Sequence, residues 1–140
     1  MDKDLEKKLI EKYPKLYQGT KLNPQESCMA FGFEHDSGWY GLIDKLSEDL
    51  TKIDPGAIAS QVKEKFGTLR FYCSVYNDAS MELIDQAEKE SGYICEVCGQ
   101  AGLTRWDLGW VRTLCDKHLK EYLDGREPDE VDDKEISNEG

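Results

Sequence analysis

The chain has 140 residues, 39% of them hydrophobic and 34% charged, which suits one domain with a modest core. Its net charge of −11 argues against non-specific duplex nucleic-acid binding, whose affinity comes from neutralising phosphates. No apolar run approaches the length of a membrane span, and Met1–Lys8 lacks the apolar core of a secretion signal, so a cytoplasmic location is expected and no membrane partner.

The fold class expected is α+β: a small antiparallel sheet with packed helices, ending in a zinc finger. Residues 3–13 predict a helix with Leu5, Leu9, Ile10 and Tyr13 on one face, stopped by Pro14. After a loop through Asn23-Pro24, residues 28–34 predict a strand. Asp36 or Ser37 is the expected N-cap of a second helix, which places Trp39, Leu42, Ile43, Leu46, Leu50 and Ile53 at helical spacing. Asp44, Lys45, Ser47 and Glu48 are expected to face outward, and Asp54-Pro55-Gly56 breaks the helix.

Residues 58–73 predict a β-hairpin turning near Phe66-Gly67. A four-residue loop, Glu64 to Gly67, is expected, because a two-residue primed turn puts Phe66 at positive φ. Val62, Leu69, Phe71 and Cys73 share one face; Gln61, Lys63, Thr68, Arg70 and Tyr72 share the other. Asn77 or Asp78 caps a third helix with Met81, Ile84 and Ala87 inward. The division expected is a body over residues 1–92, a zinc subdomain over 93–123, and an acidic disordered tail over 124–140. That tail carries eight acids and two bases, about half the excess charge.

Five cysteines in a chain without a secretion signal do not read as a disulfide framework. Three of them form a metal-ligand pattern. Cys95 and Cys98 are two residues apart, as are Cys115 and His118, and sixteen residues separate the pairs. This is structural-zinc spacing: Zn²⁺ takes four tetrahedral ligands and favours thiolate and imidazole. A redox pair is the alternative. Residues 103–106 and 110–114 are expected to pair as a hairpin, and residues 116–123 to form a helix whose start supplies two ligands. Knuckle, hairpin and helix in that order resemble a treble-clef finger. Four protein ligands leave no open position for a catalytic water. Trp106 and Trp110 are expected to pack the core of this small subdomain, with partner contact, together with Arg112, as the alternative.

Three blocks carry a wider resemblance. They are Phe31-Gly32-Phe33-Glu34 continuing through Gly38-Trp39-Tyr40 to Ile43-Asp44; Gln61-Val62-Lys63-Glu64-Lys65-Phe66-Gly67-Thr68-Leu69-Arg70-Phe71-Tyr72; and the C-terminal cysteine–histidine segment with Gly109-Trp110. Together they resemble a group of small, mostly uncharacterised phage and bacterial proteins. That group carries Cys-Gly-Asp where this chain has His35-Asp36-Ser37, and a second glycine where Thr68 stands. The resemblance implies a phage or bacterial origin and a zinc-binding end, and implies no activity.

Lys63, Lys65, Arg70 and Tyr72 are the candidate ligand-binding residues. Lys63 and Arg70 gather positive charge on one hairpin face of an acidic protein, suited to a phosphate-bearing anion, with Tyr72 placed to stack on a base. A solvated face neutralised by Glu34, Glu64 or the tail is the alternative. His35 reads as a surface or helix-entry residue, with a ligand contact as its alternative. The leading functional reading is a non-enzymatic binding protein for a phosphate-bearing small molecule; in a phage, a nucleotide signal of host immunity is one such ligand. A zinc-finger interaction module engaging a host or phage protein is the second reading, and homo-oligomerisation stays open. A treble-clef nuclease ranks last, since His118 is a ligand and His35 has no evident partner. No catalytic residue is assigned.

Overall fold

A computed structural model describes residues 1–74 and 77–125. The expectation for the acidic tail falls, from residue 126 onward, outside the described residues. The chain forms α1 (Lys3–Lys12), β1 (Phe33–Glu34), α2 (Tyr40–Ile53), β2 (Ala59–Lys65), β3 (Thr68–Cys73), α3 (Asp78–Ser91), β4 (Leu103–Arg105), β5 (Arg112–Leu114) and α4 (Asp116–Asp124), an α+β fold. Among the described residues no helix is long and apolar enough to cross a membrane.

Local chemistry sets the helix ends. The Asp2 carboxylate accepts the Asp4 and Leu5 N–H groups to start α1, and Asn77 accepts the Ser80 N–H to start α3. Leu9 and Tyr13 are buried along α1, and Ile43, Leu46 and Leu50 along α2. Three expected positions shift. Ile53, the last residue of α2, is exposed rather than on the buried face, because it lies past the Leu50 contact where the helix ends. Ser47 is buried rather than outward, because its hydroxyl donates to the Ile43 carbonyl and meets Tyr17 Oη. Met81 is exposed rather than inward: α3 packs through Ile84 and Ala87, and Met81 lies a turn before that contact.

The strand expected over residues 28–34 is instead a 3-10 turn, Cys28–Phe31, followed by the two-residue β1. Ser27 Oγ accepts the Met29 N–H and starts the turn. β2 and β3 pair antiparallel, whereas β1 joins β2 in parallel, so the three-stranded sheet is mixed. The hairpin faces are as read: Val62, Leu69 and Phe71 are buried, and Lys63 pairs with Arg70 across the strands. The loop is not four residues. Lys65 pairs with Thr68, leaving Phe66 (φ 53°) and Gly67 (φ 87°) as a two-residue turn. The strained Phe66 is held by its neighbour's contacts: Gly67 N–H donates to Glu64 Oε2 at 2.7 Å, and the Gly67 carbonyl accepts the Thr113 hydroxyl at 2.6 Å.

The outer edge of β3 is covered by α3. Leu69 N–H donates to Ser91 Oγ and Phe71 N–H to Glu88 Oε2, which removes an edge that would otherwise recruit another strand. Among the described residues, seventeen buried apolar side chains form the body core around Trp39, Tyr17, Leu9 and Leu69. A second cluster, Cys95, Leu108 and Leu114, lies in the C-terminal segment.

Candidate metal centre

Residues 95–99 form a tight knuckle. Cys95 N–H donates to the Gln100 carbonyl and Gly99 N–H to the Cys95 carbonyl, with Gly99 at φ 82°. β4 and β5 form the expected hairpin, registered Thr104 to Thr113. Arg105 donates from Nε and Nη2 to the Leu114 carbonyl at 3.2 and 3.0 Å, fixing the chain just before the second ligand pair. Cys115 is then the N-cap of α4, its sulfur accepting the His118 N–H at 3.4 Å. Each pair of expected ligands thus sits on a turn that aims both side chains at one point.

The donor atoms of Cys95, Cys98, Cys115 and His118 all lie within 4.8 Å of one another. A tetrahedral zinc site, with Zn–S about 2.3 Å and Zn–N about 2.0–2.1 Å, has S···S edges of about 3.8 Å and S···N edges of about 3.6 Å. Here Cys98 Sγ and Cys115 Sγ are 3.8 Å apart, Cys95 Sγ and His118 Nδ1 3.6 Å, and Cys115 Sγ and His118 Nδ1 3.2 Å. A disulfide needs about 2.05 Å, far shorter than the 3.8 Å between Cys98 and Cys115. The His118 backbone N–H, followed by its ring and the neighbouring thiols, lowers the Cys115 thiol to about 6. The thiolate is the form that binds metal. The group therefore fits a metal ion, and two of these three edges match those of a zinc site.

This end is bound to the body along a continuous seam. Trp39 Nε1 donates to the Ile94 carbonyl at 2.9 Å, and Gly38 N–H to the Glu96 carbonyl at 2.6 Å. A Cβ on Gly38 would stand 2.1 Å from the Cys95 carbonyl oxygen, so only glycine allows this approach. Asp36 N–H donates to Glu96 Oε2 at 2.9 Å, and Arg112 reaches Asp36 at 2.7 Å and Glu96 at 3.7 Å. Burial raises the pKa of Glu96 above the ordinary carboxylate value, against the pull of the Asp36 N–H and Arg112.

Sequence reasoning missed Glu96, Gly38 and Arg105. Glu96 sits between two cysteines, where only the metal spacing stands out. Trp106 and Trp110 are not core residues: they are 70% and 65% exposed, and Leu108 fills the small core in their place. His35 lies at the entry to α2 but is only 7% exposed. Its Nδ1 hydrogen-bonds with the Asp36 carbonyl, and burial lowers its pKa to about 4, so the ring is neutral at pH 7.

Lys63, Lys65, Arg70 and Tyr72 share the outward hairpin face. Glu34 stands beside Lys63 in the parallel register, and Glu88 feels the Arg70 charge, so an acid flanks the paired bases on each side. Arg70 Nε is buried without a hydrogen-bond partner. Tyr72 lines a separate cleft with residues of the Pro24–Cys28 segment. A scan against protein-family models matches none, and searches of curated proteins and of solved structures return no match.

Proposed function

We propose that this protein is a zinc-stapled, non-enzymatic interaction module that engages a protein partner through its C-terminal end. The observation that carries the reading is the aromatic surface around Trp106. Tyr93, Leu103 and Trp106 are exposed and line a 570 Å³ cavity with Lys89, Gly92 and Thr104. A contiguous apolar surface of this kind on a polar protein marks an interaction site, and Trp and Tyr dominate binding energy at such sites. The staple is Zn²⁺ on Cys95, Cys98, Cys115 and His118, in a knuckle, hairpin and helix arranged like a treble clef. Zinc there supplies folding free energy; with four protein donors it has no place for a reacting water.

A second reading keeps the phosphate-bearing ligand, a nucleotide signal if the chain is phage-encoded, on Lys63, Lys65, Arg70 and Tyr72. The orphaned Arg70 Nε favours it. Glu34 beside Lys63 and Glu88 beside Arg70 weigh against it. One preparation separates the two. Quantitative affinity capture with wild type and Trp106→Ala is expected to lose a specific protein in the variant. Identical captured sets overturn the module reading. A retained nucleotide in native mass spectra, absent from the Lys63→Ala, Arg70→Ala double variant, would favour the second.

A further inference from the structure

Where the metal end meets the body there is a second cavity, of 340 Å³, lined by Asp36, Glu64, Glu96, Trp110, Arg112 and Tyr122. It lies at the lower end of the size range that holds small ligands or single side chains. Among the described residues its charges do not cancel: three carboxylates face one guanidinium. Arg112 is already committed to Asp36 and Glu96. The Glu96 side chain is 6% exposed, so the acidic excess reaches into a partly desolvated site, where an added cation gains most. Trp110 stands exposed at the rim and Tyr122 forms a second aromatic wall.

We infer that this cavity receives the ammonium group of a lysine presented by a basic segment of the partner protein. Donor count and shape select lysine. A lysine ammonium is a compact cation with three donors, and Asp36, Glu64 and Glu96 supply three carboxylate acceptors. Its aliphatic stem lies along the faces of Trp110 and Tyr122, which also favour a cation by their ring quadrupoles. The net charge of −11 draws a basic segment towards the chain before contact is made. The inference rests on the interaction-module reading and names the partner's chemistry at a site beside the Trp106 surface.

The test is an ¹⁵N NMR titration of the metal-loaded full chain at low salt. The probe is the blocked pentapeptide acetyl-Gly-Gly-Lys-Gly-Gly-amide, with its norleucine counterpart and n-butylammonium as controls. The lysine peptide is expected to give saturable shifts at the Trp110 indole N–H and at the Glu96 and Arg112 amides, and the norleucine peptide none. Glu64→Gln keeps an acceptor for Gly67 N–H, and Trp110→Ala alters an exposed side chain, so both variants fold. Each is expected to weaken binding about fivefold or more. Glu82→Gln, on the exposed face of α3, leaves it unchanged. Unsaturable shifts spread over the acidic surface, or equal affinity in Glu64→Gln, overturn the inference. Binding of n-butylammonium as tight as the peptide overturns its assignment to a protein segment. Trp106 does not line this cavity. Failure here therefore leaves Trp106-dependent capture standing, and loss of that capture leaves lysine binding measurable.

Discussion

The body and the C-terminal end are held together by different physics. Among the described residues, seventeen buried apolar side chains form the body core, against three in the C-terminal cluster. Three buried side chains remove too little apolar surface from water to offset the ordering of some thirty residues. In the proposed reading, a metal on the ligand set supplies the difference. Cys95, itself fully buried, belongs to both the cluster and the candidate ligand set, so the site and the small core are one unit. A segment relieved of the need for a large core can expose its aromatic side chains, and Trp106 and Trp110 are exposed where Trp39 is buried in the body.

Removing the metal is expected to separate the two regions most clearly. Structural zinc in small fingers contributes about 10 kcal/mol or more of apparent folding free energy. One zinc per chain is expected by elemental analysis. Chelation, or Cys95→Ser, is expected to release hydrogen-exchange protection at residues 95–99 and 112–119 while α1 and α2 stay protected. Equal loss of protection in both regions would show that the two are not separate in stability. Unchanged protection in the C-terminal region would show that no staple is needed.

The donor set was legible in the sequence because ligand spacing is itself chemistry: two residues between donors on a turn bring both to one ion. The helices were legible from their period, and α3 from its Asn77 cap. The cap expected of Asp36 or Ser37 on α2 is not made: α2 starts at Tyr40 without a side-chain cap, because Asp36 pairs with Arg112 and Ser37 Oγ accepts the Asp2 N–H. The segment Cys28–Phe33 misled, since a short apolar run fits a strand or a turn equally, and the Ser27 cap decided for the turn. The seam was not legible. Asp36 and Glu96 are sixty residues apart, Asp36 and Arg112 seventy-six, and no local pattern joins them. The exposure of the tryptophans was hidden for a related reason. A sequence shows that a side chain is apolar, but not whether its neighbours are numerous enough to cover it.

The seam itself can be probed by pH. His35 packs beside Phe33 and Trp39 and bonds to the Asp36 carbonyl, at the point where the body meets Glu96. Its pKa is lowered by burial from 6.5 to about 4. Between those values the unfolded chain binds the proton and the folded chain does not, so stability is full above pH 6.5 and falls as pH drops towards 4. The loss reaches about 3 kcal/mol at most, because a tenfold change in proton affinity is worth about 1.4 kcal/mol. His35→Phe keeps the ring and removes the titration. Denaturant melts across that window should show a shallower decline in the variant, although ligand protonation at the metal site makes both decline. Parallel curves would mean that the buried imidazole does not contribute.

The smallest expected effect concerns the hairpin tip that reaches the metal end. Phe66 holds a left-handed backbone conformation that costs a bulky L-residue about 1–2 kcal/mol. Its side chain is 61% exposed and returns little by burial; Lys65 Nζ stands 5.5 Å from its ring centre. The anchoring belongs to Gly67, through Glu64 and Thr113. Asn-Gly is the sequence such a turn prefers, because Asn tolerates positive φ. Phe66→Asn is therefore expected to raise stability by about 0.5–1 kcal/mol in denaturant unfolding, the strain relieved less the lost ring contact. Lower stability in the variant would mean that the exposed ring carries contacts worth more than the strain. An unchanged melt combined with weaker partner capture would place Phe66 among the aromatic side chains kept exposed for binding, extending that surface from the metal end onto the body.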